Sequence, residues 1–142
     1  MIIQKMTSND VSAVLKIGMG VTAFEVSERD CFWSREQLEK WIEADEDVLL
    51  VAKENDEIVG FALSMLHKPT GKVTWENLYV LQNFRNRGVS QQLIGELLLR
   101  LRQKGASYMC FFVRAENQDE VSFFQHLDFV SGYNFVWFEK HL

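Results

Sequence analysis

Apolar and polar positions alternate with two different periods along this chain, and the switches between them outline its elements. Ile2 to Met6 is a short strand-like run. Thr7 and Ser8 then offer caps for a helix whose Val11, Val14 and Leu15 share one face, with Gly18 or Gly20 as its stop. Ser34-Arg35-Glu36-Gln37 has the form of a capping box, and Leu38, Trp41 and Ile42 behind it make the stripe of a second short helix with an acidic opposite face. Val48 to Lys53 and Ile58 to Leu66 are β-rich runs separated by Asn55-Asp56-Glu57, a hairpin signature, and Lys68-Pro69-Thr70-Gly71 makes the next turn. Val73 to Val80 is a third strand; strict alternation puts Thr74, Glu76, Leu78 and Val80 on one face and Trp75, Asn77 and Tyr79 on the other.

Leu93, Leu97 and Leu101, with Ile94 and Leu98 beside them, mark an amphipathic helix from near Gly88 to about Gly105. Tyr108 to Val113 is nearly continuous apolar sequence, the pattern of a strand covered on both faces. Val121, Phe124 and Leu127 give Asp119 to Leu127 a helical stripe, and Tyr133 to Phe138 supplies a last aromatic strand. The order β-α-α-β-β-β-α-β-α-β predicts an α/β (α+β) domain spanning 1–142, with no linker or internal repeat to divide it.

Composition narrows the picture. A chain of 142 residues that is 47% hydrophobic and 13% aromatic fills one core. The net charge of −5 argues against a nucleic-acid partner and mildly for cationic ones. Its distribution says more: Glu25 to Glu57 holds twelve Asp/Glu against four Lys/Arg, whereas Arg85 to Arg114 holds six Lys/Arg against one Glu. Cys31 and Cys110 read as thiols in a reducing compartment. The start of the chain lacks a leader pattern and no run of eighteen apolar residues occurs, so a cytoplasmic location without a membrane partner is expected. His67, His126 and His141 have no metal-ligand spacing, so no metal is expected either.

The most informative stretch is Arg85-Asn86-Arg87-Gly88-Val89-Ser90, between the third strand and the leucine-striped helix. Two guanidinium groups, a glycine that admits close backbone approach, and the first uncommitted N–H groups of a helix converge on one turn. Such a turn suits a polyanion.

With that motif in hand, the chain resembles the GNAT superfamily of N-acetyltransferases. The family's Arg/Gln-x-x-Gly-x-Gly/Ala is matched by Arg85 to Ser90 after Leu78-Tyr79-Val80. The family's asparagine after the fifth strand is matched by Asn117, and its Tyr-x-x-x-Gly-Phe by Phe124-Gln125-His126-Leu127-Asp128-Phe129. The resemblance implies a mixed central sheet of six to seven strands flanked by about four helices. It implies acetyl-CoA as cosubstrate and no resident metal. The diphosphate would lie on the amides of Arg87, Gly88, Val89 and Ser90, assisted by Arg85 and Asn86, and the pantetheine arm would pair with the strand around Leu78, Tyr79 and Val80. Asn117 either contacts the cofactor or caps the helix that begins near Asp119. Phe124 stands where much of the family has a tyrosine near the CoA sulfur; phenylalanine can pack on the thioester but cannot protonate the leaving thiolate.

The implied reaction is direct acetyl transfer to a primary amine through a tetrahedral intermediate. Glu76, on the strand leading to Leu78 and projecting on its face, is the candidate base, with a solvated or ion-paired strand carboxylate as the competing reading. Tyr133 is the candidate replacement acid, competing with a packing role. Phe24, Glu25, Glu28 and Trp33 lie in the segment that walls the acceptor site in the family, and aromatic plus carboxylate groups hold an ammonium. The acceptor is therefore read as a small cationic amine or a peptide or protein amine. The thirteen residues after Phe129 have room for one strand, completed by or donated to a second copy, so a homodimer is expected. The reading from a different class is a non-catalytic acyl-CoA-binding sensor or assembly module.

Overall fold

The computed structural model describes residues 1–29 and 32–142; Cys31, read above as a thiol, lies outside them. The described chain divides into two compact units, Met1–Cys110 and Phe111–Leu142.

In the first unit, β1 (Ile2–Lys5), β2 (Val48–Glu54), β3 (Glu57–His67), β4 (Lys72–Val80) and β5 (Tyr108–Cys110) form one sheet in the order β1-β2-β3-β4-β5. The first four strands are antiparallel neighbours and β5 joins β4 in parallel. The β2–β3 hairpin closes as read from the sequence: Asn55 and Asp56 both take positive φ, which a two-residue turn of this hand requires. Helix α1 (Val11–Gly18) follows a 3₁₀ turn at Ser8–Asp10, and α2 (Arg35–Glu43) starts at the reciprocal Ser34–Gln37 capping box. Val11, Val14, Leu38 and Trp41 from these helices pack with Leu49, Val51, Phe61 and Leu63 from one sheet face. Helix α3 (Val89–Gln103) lies along β2, β3 and β4 and buries Val89, Leu93, Ile94, Leu97 and Leu101. Gly60 permits that approach, since a Cβ there would sit 2.8 Å from the Tyr79 carbonyl and 3.3 Å from Leu93.

The second unit carries α4 (Gln118–Gln125), whose Phe124 is buried among the rings of Phe111, Phe123 and Phe129.

Several expectations need correction. The sheet has five strands among the described residues, not six to seven. The fifth ends at Cys110 instead of Val113 and is not covered on both faces, for Tyr108 is 62% exposed. No strand is found from Tyr133 to Phe138 among the described residues, and Tyr133, Phe135 and Phe138 stand in solvent. An apolar alternating sequence becomes a strand only where a neighbour satisfies its backbone groups, and sequence pattern does not supply the neighbour.

The alternation inferred for β4 also fails at one place. Leu63 pairs with Asn77 but Ser64 pairs with Trp75, so Glu76 is an extra residue, a β-bulge. The bulge exchanges the faces on either side of it. Thr74 shares a face with Asn77 and Tyr79, opposite Met65, Leu63 and Phe61, and Trp75 shares the other face with Leu78. Glu76 itself leaves the alternation.

Candidate active site

Strand β4 organises the candidate site because its two ends are held differently. Lys72, Val73 and Thr74 pair with Tyr108, Met109 and Cys110; from Trp75 to Val80 the same edge has no β5 partner. The parallel pairing of β5 with β4 therefore covers only the first three residues of β4 among the described residues. Backbone N–H and C=O groups along that stretch need partners from elsewhere.

At the end of β4 the chain passes through a 3₁₀ turn at Gln82–Phe84 into the Arg85–Ser90 segment. Asn86 and Gly88 both have positive φ, 59° and 77°. Gly88 is the N-cap of α3, and no side chain caps the helix there. The first intrahelical bond runs from the Gln92 N–H to the Gly88 carbonyl at 3.0 Å, which leaves the amides ahead of Gln92 directed out of the helix end. A Cβ on Gly88 would meet nothing closer than 3.8 Å, so glycine is required by the left-handed backbone and not by crowding. Arg87 lies over the Phe84 ring at 5.1 Å. Arg85 sits over the Tyr79 ring at 5.3 Å and donates from Nε to the Val80 carbonyl at 3.1 Å. Val89 is buried, Ser90 half-buried, and Arg85, Asn86 and Arg87 are exposed.

Glu76 is half-buried in its bulge, and burial pushes its carboxyl above the usual range. The residue after it, Asn77, is held by two indoles. The Trp75 Nε1–H donates to the Asn77 carbonyl at 3.1 Å, and the Trp33 Nε1–H donates to Asn77 Oδ1 at 2.7 Å.

On the Asn77 face, the rings of Phe24, Phe32, Phe61 and Tyr79 form one cluster: Phe24 stacks on Phe32 at 5.5 Å and meets Tyr79 edge-on at 6.1 Å. Trp33 packs edge-to-face on Trp41 at 4.9 Å. Of the four residues read from the sequence as acceptor walls, Phe24 and Trp33 thus belong to the aromatic layer over β3 and β4. Glu25 and Glu28 are exposed in the loop beyond the 3₁₀ turn at Thr22–Phe24.

In the second unit, Asn117 is the N-cap of α4. It accepts from the Glu120 N–H at 3.3 Å and donates from Nδ2 to the Glu120 carboxylate at 2.9 Å. Burial raises the Glu120 carboxyl even though Asn117 bonds to it. Tyr133 is 90% exposed.

Sequence reasoning missed Asn77 and the bulge. The signal was two adjacent polar residues, Glu76 and Asn77, inside a strand that otherwise alternates, where a regular strand sends one of every two side chains into the core.

A sequence profile of the acetyltransferase (GNAT) family matches residues 20–129. An acetyltransferase of Pectobacterium atrosepticum, ECA0875, is 29% identical over 92 residues, covering 65% of this chain and 64% of that relative, so the match spans under two thirds of the relative's length. Among solved structures, the aminoglycoside acetyltransferase AAC(6')-Iy, in complex with the bisubstrate analogue CoA-S-monomethyl-acetylneamine, superposes with TM-score 0.77 at 20% identity, over 99% of this chain and 98% of that one. The ribosomal-protein-S18-alanine N-acetyltransferase from Escherichia coli superposes with TM-score 0.76 at 19% identity, over 93% of this chain and 79% of that one. At those identities the structures speak for the fold, and the profile speaks for the family. With a GNAT profile along 110 of its residues, from 20 to 129, and the splayed β4 edge leading into a glycine-capped helix, this chain belongs to the acetyltransferase (GNAT) family.

Proposed function

We propose that the protein transfers an acetyl group from acetyl-CoA to a primary amine, with Glu76 taking the amine's proton directly or through water. The observation that carries this reading is the continuity of one strand. β4 runs on beyond its pairing with β5 at Lys72 to Thr74, with a bulged half-buried carboxylate just after that pairing and an uncapped glycine-led helix end beyond the strand.

The residues present fit coenzyme A. The uncapped end of α3 and the guanidinium groups of Arg85 and Arg87 suit a diphosphate, each charge-assisted bond being worth roughly 1.5 to 3 kcal/mol. The backbone around Leu78, Tyr79 and Val80, beyond the pairing with β5, suits the amides of a pantetheine arm in the manner of an added strand, with Arg85 already on the Val80 carbonyl. Bound there, acetyl-CoA supplies an acyl carbon open to attack and a thiol as leaving group. Asn86 and Ser90 border the same turn, and Asn117 and Phe124 remain cofactor contacts by family resemblance.

A carboxyl raised by burial holds a proton nearer neutral pH than an ordinary one, which suits a base that must accept a proton and release it each turnover. Phe124 has no proton to give, so Tyr133 is proposed as the acid that meets the departing thiolate. Phe24 and Trp33 offer ring faces to a cation, and Glu25 and Glu28 offer charge. The acceptor is accordingly an aminosugar-like or polyamine cation, or the terminal amine of a peptide.

The exposed Val130, Phe135 and Phe138 support a homodimer in which a second copy covers that segment; sedimentation at micromolar concentration tests it. A cytoplasmic location goes with the reading, since two cysteines without a Cys-x-x-Cys spacing suit a reducing compartment.

The deciding experiment is titration calorimetry with coenzyme A, followed by free-thiol release from acetyl-CoA in the presence of neamine, spermidine and a hexapeptide with an N-terminal alanine. Binding with turnover of one or more acceptors is expected. Absence of coenzyme A binding removes the reading, and tight binding without turnover replaces it with a non-catalytic acyl-CoA module.

A further inference from the structure

Two tryptophan N–H groups from different parts of the chain converge on Asn77, the residue that follows Glu76. Trp75 precedes Glu76 and bonds to the carbonyl of Asn77 which follows it, so this hydrogen bond spans the bulged residue. Trp33 comes from the loop ahead of α2, 44 positions away, and bonds to the side chain of the same asparagine.

The chemistry of these bonds gives them direction. An indole N–H can only donate, so each bond fixes an oxygen of Asn77, the backbone one toward Trp75 and the carboxamide one toward Trp33. A bulge is a place where the ladder supplies no register, so a residue in it depends on side-chain bonds for its orientation. Trp33 is itself braced edge-to-face by buried Trp41 at 4.9 Å. The Trp41 N–H is the informative contrast: it is buried and has no hydrogen-bond partner among the described residues. Two neighbouring indoles on one helix-and-loop segment therefore differ in whether their N–H reaches β4.

We infer that Trp33 and Trp75 are positioning residues, an indole clamp that acts through Asn77 to hold the bulge and so aim the Glu76 carboxylate at the acceptor amine. The inference rests on the reading of Glu76 as the base and assigns how that base is placed. The clamp also ties the acceptor-side loop to the reacting strand, so that an acceptor displacing Trp33 would disturb proton removal and not binding alone.

Trp33→Phe and Trp75→Phe each remove one N–H and keep an aromatic ring. On the fastest acceptor of the panel above, kcat is expected to fall roughly tenfold, within what a small misplacement of a catalytic group costs, while the coenzyme A Kd stays unchanged. Trp41→Phe keeps a ring against Trp33 and removes an N–H without a partner among the described residues, and is expected to lower kcat less than either clamp substitution. On a Glu76→Gln background the two clamp substitutions are expected to add nothing, since the group they aim is gone. Where Glu76→Gln falls below detection, Glu76→Asp takes its place, and the penalties are then less than additive. Independently of activity, the Trp33 indole N–H resonance in isotope-labelled protein is expected to shift and to lose exchange protection in Asn77→Leu, with that of Trp41 unmoved. Full additivity with the Glu76 substitution, an equal loss in Trp41→Phe, or a Trp33 resonance indifferent to Asn77→Leu overturns the clamp. A Glu76→Gln protein that binds coenzyme A and turns over at the wild-type rate removes the base itself, and the clamp with it, which is a separable result.

Discussion

Arg85 donates to the carbonyl of Val80 at 3.1 Å, so the basic turn and the end of β4 meet in a single hydrogen bond. The same guanidinium covers the ring of Tyr79, whose other neighbours are Phe24 and Phe61. Arg85 is thus held in place by the strand, whereas Arg87 rests on Phe84 of its own turn.

The two arginines are therefore expected to respond differently to substitution. Arg87→Ala removes a charge and little else, and coenzyme A affinity is expected to fall about tenfold, the equivalent of one charge-assisted contact. Arg85→Ala also strips a bond from the β4 edge and a cation from Tyr79, so the loss is expected to be larger and to come with a lower melting temperature. Calorimetric titration and thermal unfolding of both variants check the ranking, and equal losses of affinity and stability would contradict it.

Gly88 tests the backbone. Alanine there finds open space, yet must hold φ near 77°, a conformation that costs a non-glycine residue about 1 to 2 kcal/mol. Gly88→Ala is expected to lose that much stability in urea unfolding and, if the residue escapes the strain by turning its amide, to lose coenzyme A binding as well. An unchanged midpoint would show that the turn is not under this constraint.

Glu76 carries opposite expectations for activity and stability. As a base it is worth roughly two to four orders of magnitude in rate, so Glu76→Gln is expected to reduce kcat by that range with coenzyme A binding retained. Because burial raises its carboxyl in the folded state, the native protein binds the proton more tightly than the unfolded chain does. Stability therefore declines as pH rises from the unfolded value toward the raised one, and the full penalty stands at neutral pH. Glu76→Gln is expected to be more stable than wild type at pH 7, with the gap closing at about pH 4. The acid limb of the wild-type pH–rate profile should correspondingly lie above the ordinary glutamate range. Denaturant curves at the two pH values and the rate profile test both halves.

Asp10 behaves in the reverse sense. It is 3% exposed and bonds to Lys53 at 2.6 Å and to the N–H and hydroxyl of Thr7 at 2.8 Å. Burial opposes its charge, but the Lys53 ammonium and the Thr7 donors outweigh that and hold its carboxyl below the usual range. Its contribution is present above the unfolded aspartate value and is lost as pH falls through the lowered one. Asp10→Asn is expected to cost about 2 to 4 kcal/mol near neutral pH, somewhat less than a fully buried pair because Lys53 is partly exposed. The difference from wild type should shrink in strongly acidic buffer. A constant difference across pH would assign the loss to packing.

Most of the framework was legible in one dimension. The Ser34–Gln37 box, the Asn55–Asp56 turn, the glycine stops and the leucine stripe of α3 are local devices, whose hydrogen bonds and φ values lie within a few residues of one another. The Arg85–Ser90 turn was legible as a glycine-bearing turn ahead of a helix for the same reason, whereas the left-handed backbone of Gly88 came from the structure. Strand pairing is not local. Tyr133 to Phe138 reads as a strand by composition, yet it pairs in no sheet among the described residues, and of Tyr108 to Val113 only the first three residues form a strand there.

What this sequence determined alone is most of the elements, with their caps and turns, and a helix begun by glycine without a side-chain cap, because each depends on contacts between near neighbours. Only the tertiary structure decided where β4 loses its partner, that Glu76 falls out of the ladder, and that Trp33 reaches Asn77. Those are facts of register between segments far apart in sequence, and a one-residue slip between strands, which no periodicity records, is enough to turn every side chain beyond it to the opposite face.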